Sequence, residues 1–338
     1  MYKQLVRNIF FSLIVLGLTE NASSQSSQLK SFPLSAVRLL ESPFKNAQET
    51  DMKYILRLDP DKLLAPFLKE SGLDTAATGY GNWEGTGLNG HIGGHYLSAL
   101  SNMYAANGNV EVQKRLNYFI DRLEDCQVKN GDGYLGGIPG GKAMWRDIAA
   151  GRIDAGSFSL NNKWVPLYNI HKIYAGLIDA YSIAGNEKAK NILVKLSDWF
   201  IRLTAGLSDA QIQTMLRSEH GGMNEVFADV YTITRDGKYL RMAKRLSHRK
   251  ILSPLLHGKD SLTGLHANTQ IPKVIGFMSI ASVSADTAWT NAARFFWQTV
   301  VDNRTVSIGG NSVREHFHPA SNFSSMIESR EGPETCNT

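Results

Sequence analysis

The sequence predicts an all-α protein built as a toroid of repeated helical hairpins. Four segments look alike: each has an apolar helix with small residues at helical spacing, a tight Gly/Asn/Asp turn and an amphipathic helix. The turns fall near residues 108, 185, 237 and 286. The loops between these hairpins are long, dissimilar and rich in Gly, Trp, Tyr and His, whereas an open solenoid would have short and similar loops. A closed (α/α)6-type ring, with its loops gathered over one face as a pocket, therefore fits best.

Each element has a local justification. Asp59-Pro60-Asp61 predicts a helix start before the first repeat, and Phe32–Leu40 is predicted as a short strand packed on the ring. No helix cap, closing strand or polar tail follows Cys336, so we expect the ring to be incomplete at its C-terminus. The predicted hairpins are Gly94–Asn107 with a second helix ending near Cys126, Tyr174–Ala184 with Ala189–Leu203, Gly222–Thr234 with Tyr239–Leu252, and Val274–Val283 with Ala288–Val301.

The N-terminus has the pattern of a secretory signal. Lys3 and Arg7 precede the apolar run Ile9–Leu18, and small residues stand before Gln25. The run is too short for a stable membrane span, although a membrane anchor is the alternative. We expect residues 1–24 to be removed, residues 25–338 to form the catalytic domain, and the protein to be secreted or periplasmic.

Composition excludes several classes. With 43% hydrophobic residues the chain is not disordered, and two cysteines cannot make a disulfide framework. The net charge is +5, but no dense run of basic residues occurs, so the sequence does not indicate a nucleic-acid-binding protein. No stretch beyond the signal is apolar enough to span a membrane.

Tryptophans in the loops suggest a carbohydrate ligand. Trp83, Trp145 and Trp164 stand beside polar residues, and sugar C–H faces stack on flat rings while hydroxyls take hydrogen bonds. Their alternative role is structural. His91 and His95 are spaced to share a metal, but the HExxH pattern is absent and Gly93-Gly94 favours a loop with only His95 entering the helix.

Three histidines mark a candidate shared site. His171, His220 and His266 are each predicted to lie just before the first helix of a repeat, so a toroid would bring them to one end of the ring. Taken singly, each is more often structural. Their equivalent places favour a common pocket.

The C-terminal region adds acidic candidates. Glu315 is flanked by Arg314 and His316, and Glu334 and Cys336 alternate so that both would point the same way toward a zinc ion. Glu-x-Cys alone is a weak signal, because zinc takes three or four protein ligands.

Several motifs resemble those of glycoside hydrolase families 127 and 146, the β-L-arabinofuranosidases, with the family 146 side closer. The resemblance covers Phe32 to Thr338. It rests on WEGTGLNGHIGGHYLSAL, DGYLGGIPGGKAMW, SFSLNNKWVPLYNIHKIYAGL, EHGGMNEVF, LTGLHANTQIPK, GGNSVREHFHP and GPETCNT.

The resemblance implies an (α/α)6 catalytic barrel followed by β-sandwich domains, and a retaining enzyme that binds zinc. It implies Glu315 as general acid/base, Glu334 and Cys336 as two zinc ligands, and histidines 171, 220 and 266 as holders of the arabinofuranose hydroxyls. In the family a zinc-held cysteine is the nucleophile. That cysteine and one further cysteine have no counterpart here, since Cys126 lies far upstream, so we expect the chain alone to be inactive.

Two other readings remain open. Another toroidal enzyme, an unsaturated-glucuronyl hydrolase or a lyase, would need a catalytic Asp or a Tyr/His pair with arginines, and no zinc. A non-catalytic secreted glycan-binding protein would keep the tryptophans but would need neither Glu315 nor the Glu-x-Cys pair.

Overall fold

The computed structural model describes residues 31–322 and 324–329. It divides the chain into two units, residues 1–37 and 38–338. In the first unit the described residues hold one 3-10 turn, Leu34–Ala36, so the strand predicted over Phe32–Leu40 is wrong. The signal segment 1–24 and the candidate ligands Glu334 and Cys336 lie outside the described residues.

Residues 38–338 form a helical unit in which 14 α-helices are described. They are α1 Pro43–Arg57, α2 Pro60–Ser71, α3 His91–Asn107, α4 Val110–Asn130, α5 Gly141–Ala149, α6 Pro166–Ser182, α7 Glu187–Leu203, α8 Asp209–Met215, α9 Met223–Thr234, α10 Gly237–Arg245, α11 Arg249–Leu256, α12 Ala267–Ser284, α13 Thr287–Arg304 and α14 Ser324–Glu328. The described strands are two short antiparallel pairs, β1 Ser159–Leu160 with β2 Lys163–Trp164, and β3 Ser312–Val313 with β4 His316–Phe317.

The first helices of the four hairpins, α3, α6, α9 and α12, pack side by side in chain order. Glycine makes this possible: a Cβ on Gly94 would lie 2.0 Å from the Lys172 carbonyl oxygen, and one on Gly176 would lie 2.4 Å from that of Gly94. Each second helix covers its partner from outside, and large apolar side chains such as Tyr174, Phe200 and Phe227 fill the space between the two layers. The prediction of a helical toroid is confirmed at the level of fold class.

Local chemistry sets the hairpin ends. Asn109, Asn186, Asp236 and Asp286 each accept hydrogen bonds from the first backbone N–H groups of the helix that follows. Asp59 does the same for α2, at the predicted start. These caps place the turns where the sequence predicts them.

Three predicted elements differ from the structure. The helix predicted over Tyr239–Leu252 is divided into α10 and α11, with His248 at the N-cap position of α11. The insertion Asn130–Pro166, which was expected to be a long loop, contains α5 and the β1–β2 hairpin. Moreover, α3 begins at His91 and includes Gly93 and Gly94, so the expected loop there is wrong.

The last hairpin has an apolar outer groove of about 620 Å³ between α12 and α13. Ile275 and Trp297 are 48% and 61% exposed in it. Among the described helices, none combines the length and apolarity needed to cross a membrane.

Candidate active site

Glu315 lies at the tip of the β3–β4 hairpin. The register pairs Val313 with His316, so Arg314 and Glu315 form a two-residue turn, with φ of 48° and 60°. The hairpin is fixed to the segment before α12, because Glu315 O accepts from Ala267 N (2.7 Å) and Leu265 O accepts from Phe317 N (2.9 Å). Backbone bonds thus place the Glu315 carboxylate beside the start of α12.

His266 is the N-cap of α12 and contacts that carboxylate. Its Nδ1 accepts from the backbone N–H of Thr269 (3.2 Å), so Nδ1 carries no proton. The proton of the neutral ring is therefore on Nε2, which donates to Glu315 Oε2 at 3.2 Å. Glu315 itself is 65% exposed at its side chain, against 13% for His266. The result is an oriented carboxylate open to solvent.

His171 lies within α6, not before it as predicted. Its ring packs on the backbone of Gly221 and Gly222, where an added Cβ would come within 2.7 Å and 3.0 Å of the ring nitrogens. Burial, with the charge of Lys172, lowers the pKa of His171 to about 3. Its Nδ1 is buried and has no hydrogen-bond partner among the described residues. The ring is therefore neutral and offers a polar atom to a ligand.

His220 lies in the loop before α9 and is fully buried. Its Nδ1 is 2.9 Å from the carbonyl oxygen of Ser218, which can only accept, so Nδ1 carries the proton and Nε2 is a bare acceptor. This Nε2 is buried without a partner in the described structure. Burial, followed by the charge of Lys273, holds the pKa of His220 well below its usual range.

Glu219 was not predicted as a site residue, yet it connects the others. Its backbone N–H donates to Ser157 O (2.9 Å) on the insertion. Burial raises the pKa of its carboxyl, which His266, Lys273 and Lys172 oppose and Glu315 reinforces. The charges of Lys172 on α6 and of Glu315 on the β3–β4 hairpin therefore both act on Glu219. Its place directly before His220 is the signal that the sequence offered.

A buried lysine behind the site was also missed. Lys273 on α12 is 2% exposed, and its Nζ lies 3.2 Å from His248 Nδ1 and 2.9 Å from Gln270 Oε1. The ring of His248 contacts that of His220 with centroids 5.7 Å apart. A lysine in an otherwise apolar helix was the available signal.

The three tryptophans have different environments. Trp145 is 3% exposed and packs edge-on against Trp199 (5.8 Å between centroids) in the core, so its predicted role in substrate binding is wrong for this structure. Trp83 is 62% exposed, and its ring meets that of Trp164 edge to face, with the ring centroids 6.1 Å apart. Phe158, on the same insertion as Trp164, meets the His266 ring edge to face with centroids 5.3 Å apart. The insertion thus connects the Trp83 region with Glu315.

Glu84 and His91 have a structural role. The Glu84 carboxylate is 2.7 Å from His91 Nδ1 and accepts from the N–H groups of Gly90 and Ile92 at 2.8 Å each, which caps α3. Over residues 31–322 and 324–329, no group of three or more His, Cys, Asp or Glu is arranged to hold a metal ion. Cys126 is buried in α4, where burial raises the pKa of its thiol to about 11, so it is unsuited to nucleophilic chemistry.

The family profile "Beta-L-arabinofuranosidase, GH127 catalytic domain" matches residues 36–338. The chain belongs to this family. The match does not distinguish family 127 from the family 146 side. Against proteins of curated function no significant match was found.

Two solved structures agree with the GH127 fold. One is a GH127 β-L-arabinofuranosidase from Geobacillus stearothermophilus T6, with 14% identity, a TM-score of 0.59, and coverage of 82% of this chain and 48% of that one. The other, the GH127 β-arabinofuranosidase BT3674, has 16% identity, a TM-score of 0.59, and coverage of 85% and 46%. The chain therefore spans about half the length of these structures. At such identity the likeness shows the fold alone.

Proposed function

We propose that this GH127 chain contributes the acid/base half of a retaining glycoside hydrolase that releases L-arabinofuranose from plant-type glycans outside the cytoplasm. The observation that carries the proposal is the Glu315 carboxylate, which is 65% exposed at the hairpin tip and oriented by the Nε2–H of His266. A family match over residues 36–338 supports the reaction class.

Glu315 would act as the general acid and then the general base. In the first step the protonated carboxyl would give its proton to the leaving oxygen, and in the second step the carboxylate would take a proton from water. His266 would steady Glu315 in the second step, because its Nε2–H can donate to a carboxylate. Exposure of Glu315 leaves room for the leaving sugar and for the incoming water.

The buried rings behind Glu315 would hold the sugar. His220 Nε2 carries no proton and would accept a hydrogen bond from a sugar hydroxyl. His171 Nδ1 is buried without a partner among the described residues and would also pair with a sugar hydroxyl. Trp83 and Trp164 would supply stacking faces for the rest of the glycan. Together they favour a carbohydrate over a flat apolar ligand.

Zinc remains part of the proposal through Glu334 and Cys336. A carboxylate and a thiolate are both natural zinc ligands, but they lie outside the described residues, so no geometry supports them. Zinc, when bound, would keep a cysteine thiol ionised and so provide the nucleophile of a retaining reaction. In this proposal the nucleophile and the remaining ligands lie farther along the protein than Thr338.

The test is turnover of an aryl β-L-arabinofuranoside by the natural full-length protein, with zinc measured by elemental analysis. We expect L-arabinose release with retained configuration, about one bound zinc, and no turnover by residues 25–338 alone. Cleavage of unsaturated glucuronides without zinc would favour the other toroidal hydrolases. Glycan binding without turnover would favour a lectin-like role. Stoichiometric zinc with turnover by residues 25–338 would show that the nucleophile was misplaced.

A further inference from the structure

Lys273 is a buried charge that the proposed reaction does not use. Lysine is rarely fully buried unless it is paired, yet Lys273 is 2% exposed on α12, seven residues after His266. Its Nζ has two neighbours at hydrogen-bond distance, Gln270 Oε1 at 2.9 Å and His248 Nδ1 at 3.2 Å. Such a group needs a reason to be there, because moving a charge out of water is unfavourable even when hydrogen bonds partly compensate.

We propose that Lys273 is a positioning residue of the site: its ammonium group holds His248 in the Nε2–H tautomer and keeps His220 neutral, so that His220 Nε2 stays an acceptor for a ligand hydroxyl. An ammonium group only donates. His248 Nδ1 must therefore accept, and the single proton of its neutral ring is on Nε2. His220 has the opposite tautomer, because Ser218 O takes the proton of Nδ1 at 2.9 Å.

The charges around Lys273 agree with an ammonium group. Glu219, in the loop before α9, favours the charged form, and Lys250 on α11 opposes it. Burial is the largest influence and lowers the pKa of Lys273 to about 7. The ammonium form is therefore present up to about neutral pH, and above that the hold on His248 weakens.

The effect passes to His220 through proximity. The rings of His220 and His248 meet at a 72° angle with centroids 5.7 Å apart. After burial, the charge of Lys273 is the next cause that lowers the pKa of each ring, that of His248 to about 3. A second proton on His220 would turn Nε2 from an acceptor into a donor. Lys273 opposes that change from within the protein, without touching the ligand.

The tautomer assignment is independent of the proposed function, and only its use for a sugar hydroxyl rests on that function. The experiment therefore reads the rings and not turnover: histidine ring nitrogens of the full 338-residue chain, labelled with 15N, are followed from pH 5 to pH 8. In the unmodified protein we expect His248 protonated only on Nε2 and His220 only on Nδ1. A proton on His248 Nδ1 below pH 7 would overturn the proposal.

The variant Lys273→Met tests causation. We expect His248 to relax to a mixture of the two neutral tautomers, which the ring nitrogen spectra show directly between pH 5 and pH 8. The matched control is Lys172→Met, which removes a partly buried lysine whose charge acts on His95 and His171 instead. Unchanged His248 and His220 spectra in Lys273→Met, with the fold intact by circular dichroism, would contradict the proposal.

If Lys273→Met does not fold, the wild-type spectra still decide the tautomers, and Gln270→Leu gives a milder test. Gln270 orients Lys273 Nζ without contacting either ring in the described bonds. We expect it to shift the pH at which His248 loses its single tautomer by about half a unit or more. If Gln270→Leu leaves this pH unchanged and His248 in the unmodified protein carries its proton on Nδ1, Lys273 is not a positioning residue of the site. A lack of arabinofuranosidase activity would leave either result standing.

Discussion

Two Glu–His pairs occur among the described residues, and they are built differently. Glu84 is 5% exposed, and its oxygens meet His91 Nδ1 and two helix N–H groups at 2.7 to 2.8 Å. Glu315 is 65% exposed and meets His266 Nε2 at 3.2 Å. In the first pair the carboxylate is committed to capping a helix, whereas in the second it is oriented and accessible. Residue type alone therefore does not separate a structural pair from a catalytic candidate; burial and the number of fixed donors do.

The largest expected effect is on Glu315. In the full-length enzyme, Glu315→Gln should reduce cleavage of natural linkages by about 10²–10⁴-fold, the usual contribution of general acid–base catalysis. Aryl substrates with good leaving groups need less protonation, so their first step should lose less. The measurement is kcat/KM on both substrate types, with the free energy of unfolding as control, which should change by less than about 0.5 kcal/mol because the side chain is exposed. Full activity on natural linkages would remove Glu315 from this role.

Glu84 should show the reverse pattern. Glu84→Ala leaves the N–H groups of Gly90 and Ile92 without their acceptor, whereas His91 Nδ1 keeps the Leu88 carbonyl oxygen at 2.7 Å. Hydrogen bonds to a charged group contribute about 1.5–3 kcal/mol each to stability. We expect a loss of about 2–4 kcal/mol in denaturant unfolding. The control is Glu111→Ala, whose exposed ion pair with Lys114 should contribute less than about 1 kcal/mol. Equal stabilities for the two variants would show that Glu84 is not a cap.

The difference between these pairs also shows what the sequence could predict. The hairpin turns were predictable because their chemistry is local: Asn186 and Asp286 cap the very next helix. The contact between His266 and Glu315 joins residues 49 apart in the chain, and residue spacing alone does not reveal such a contact. The three histidines were suggested by their equivalent places in the hairpins and the tryptophans by their loops, whereas the role of Glu315 came from the resemblance to family motifs. These roles stay predictions.

The errors have equally physical causes. Trp145 and Trp164 lie in one insertion, but Trp145 is on the amphipathic helix α5 and its apolar face packs in the core. Lys273 was missed because its partner His248 is on another helix. Burial depends on the packing of distant elements, which a local pattern does not contain.

The buried ring of His171 makes stability depend on pH. Burial lowers the pKa of His171 to about 3, from the ordinary histidine value of about 6.5, so the unfolded chain binds more protons than the folded one between these values. Its contribution to stability is therefore complete above pH 6.5 and is lost as the pH falls toward 3. His171→Gln should reduce the slope of unfolding free energy against pH in this window by up to ~1.4 kcal/mol per pH unit. Urea titrations from pH 4 to pH 7 measure it. An unchanged slope would mean that His171 is not held neutral by the fold.

The smallest expected effect concerns the turn that presents Glu315. Two hairpins have the same two-residue geometry: Asn161 and Asn162 have φ of 48° and 61°, and Arg314 and Glu315 have φ of 48° and 60°. Asparagine tolerates this left-handed region, whereas other residues pay roughly 1–2 kcal/mol for it. Strain of this kind is found where function over-determines the backbone.

Replacing Arg314 by the residue type of the other hairpin tests that reading. Arg314→Asn should stabilise the protein by about 0.5–1 kcal/mol, because it relieves the strained position without moving Glu315. The control is Asn161→Arg, measured by the same urea titration. It should destabilise by more than this amount, because it also removes the bonds of the Asn161 side chain to Asp154 N–H (2.9 Å) and Arg152 O (2.8 Å). If Arg314→Asn is neutral or destabilising while Asn161→Arg behaves as expected, interactions of the Arg314 side chain outweigh the backbone strain. The tip of the hairpin would then be held by its side chains, in contrast to Glu84, whose position is fixed by backbone N–H groups.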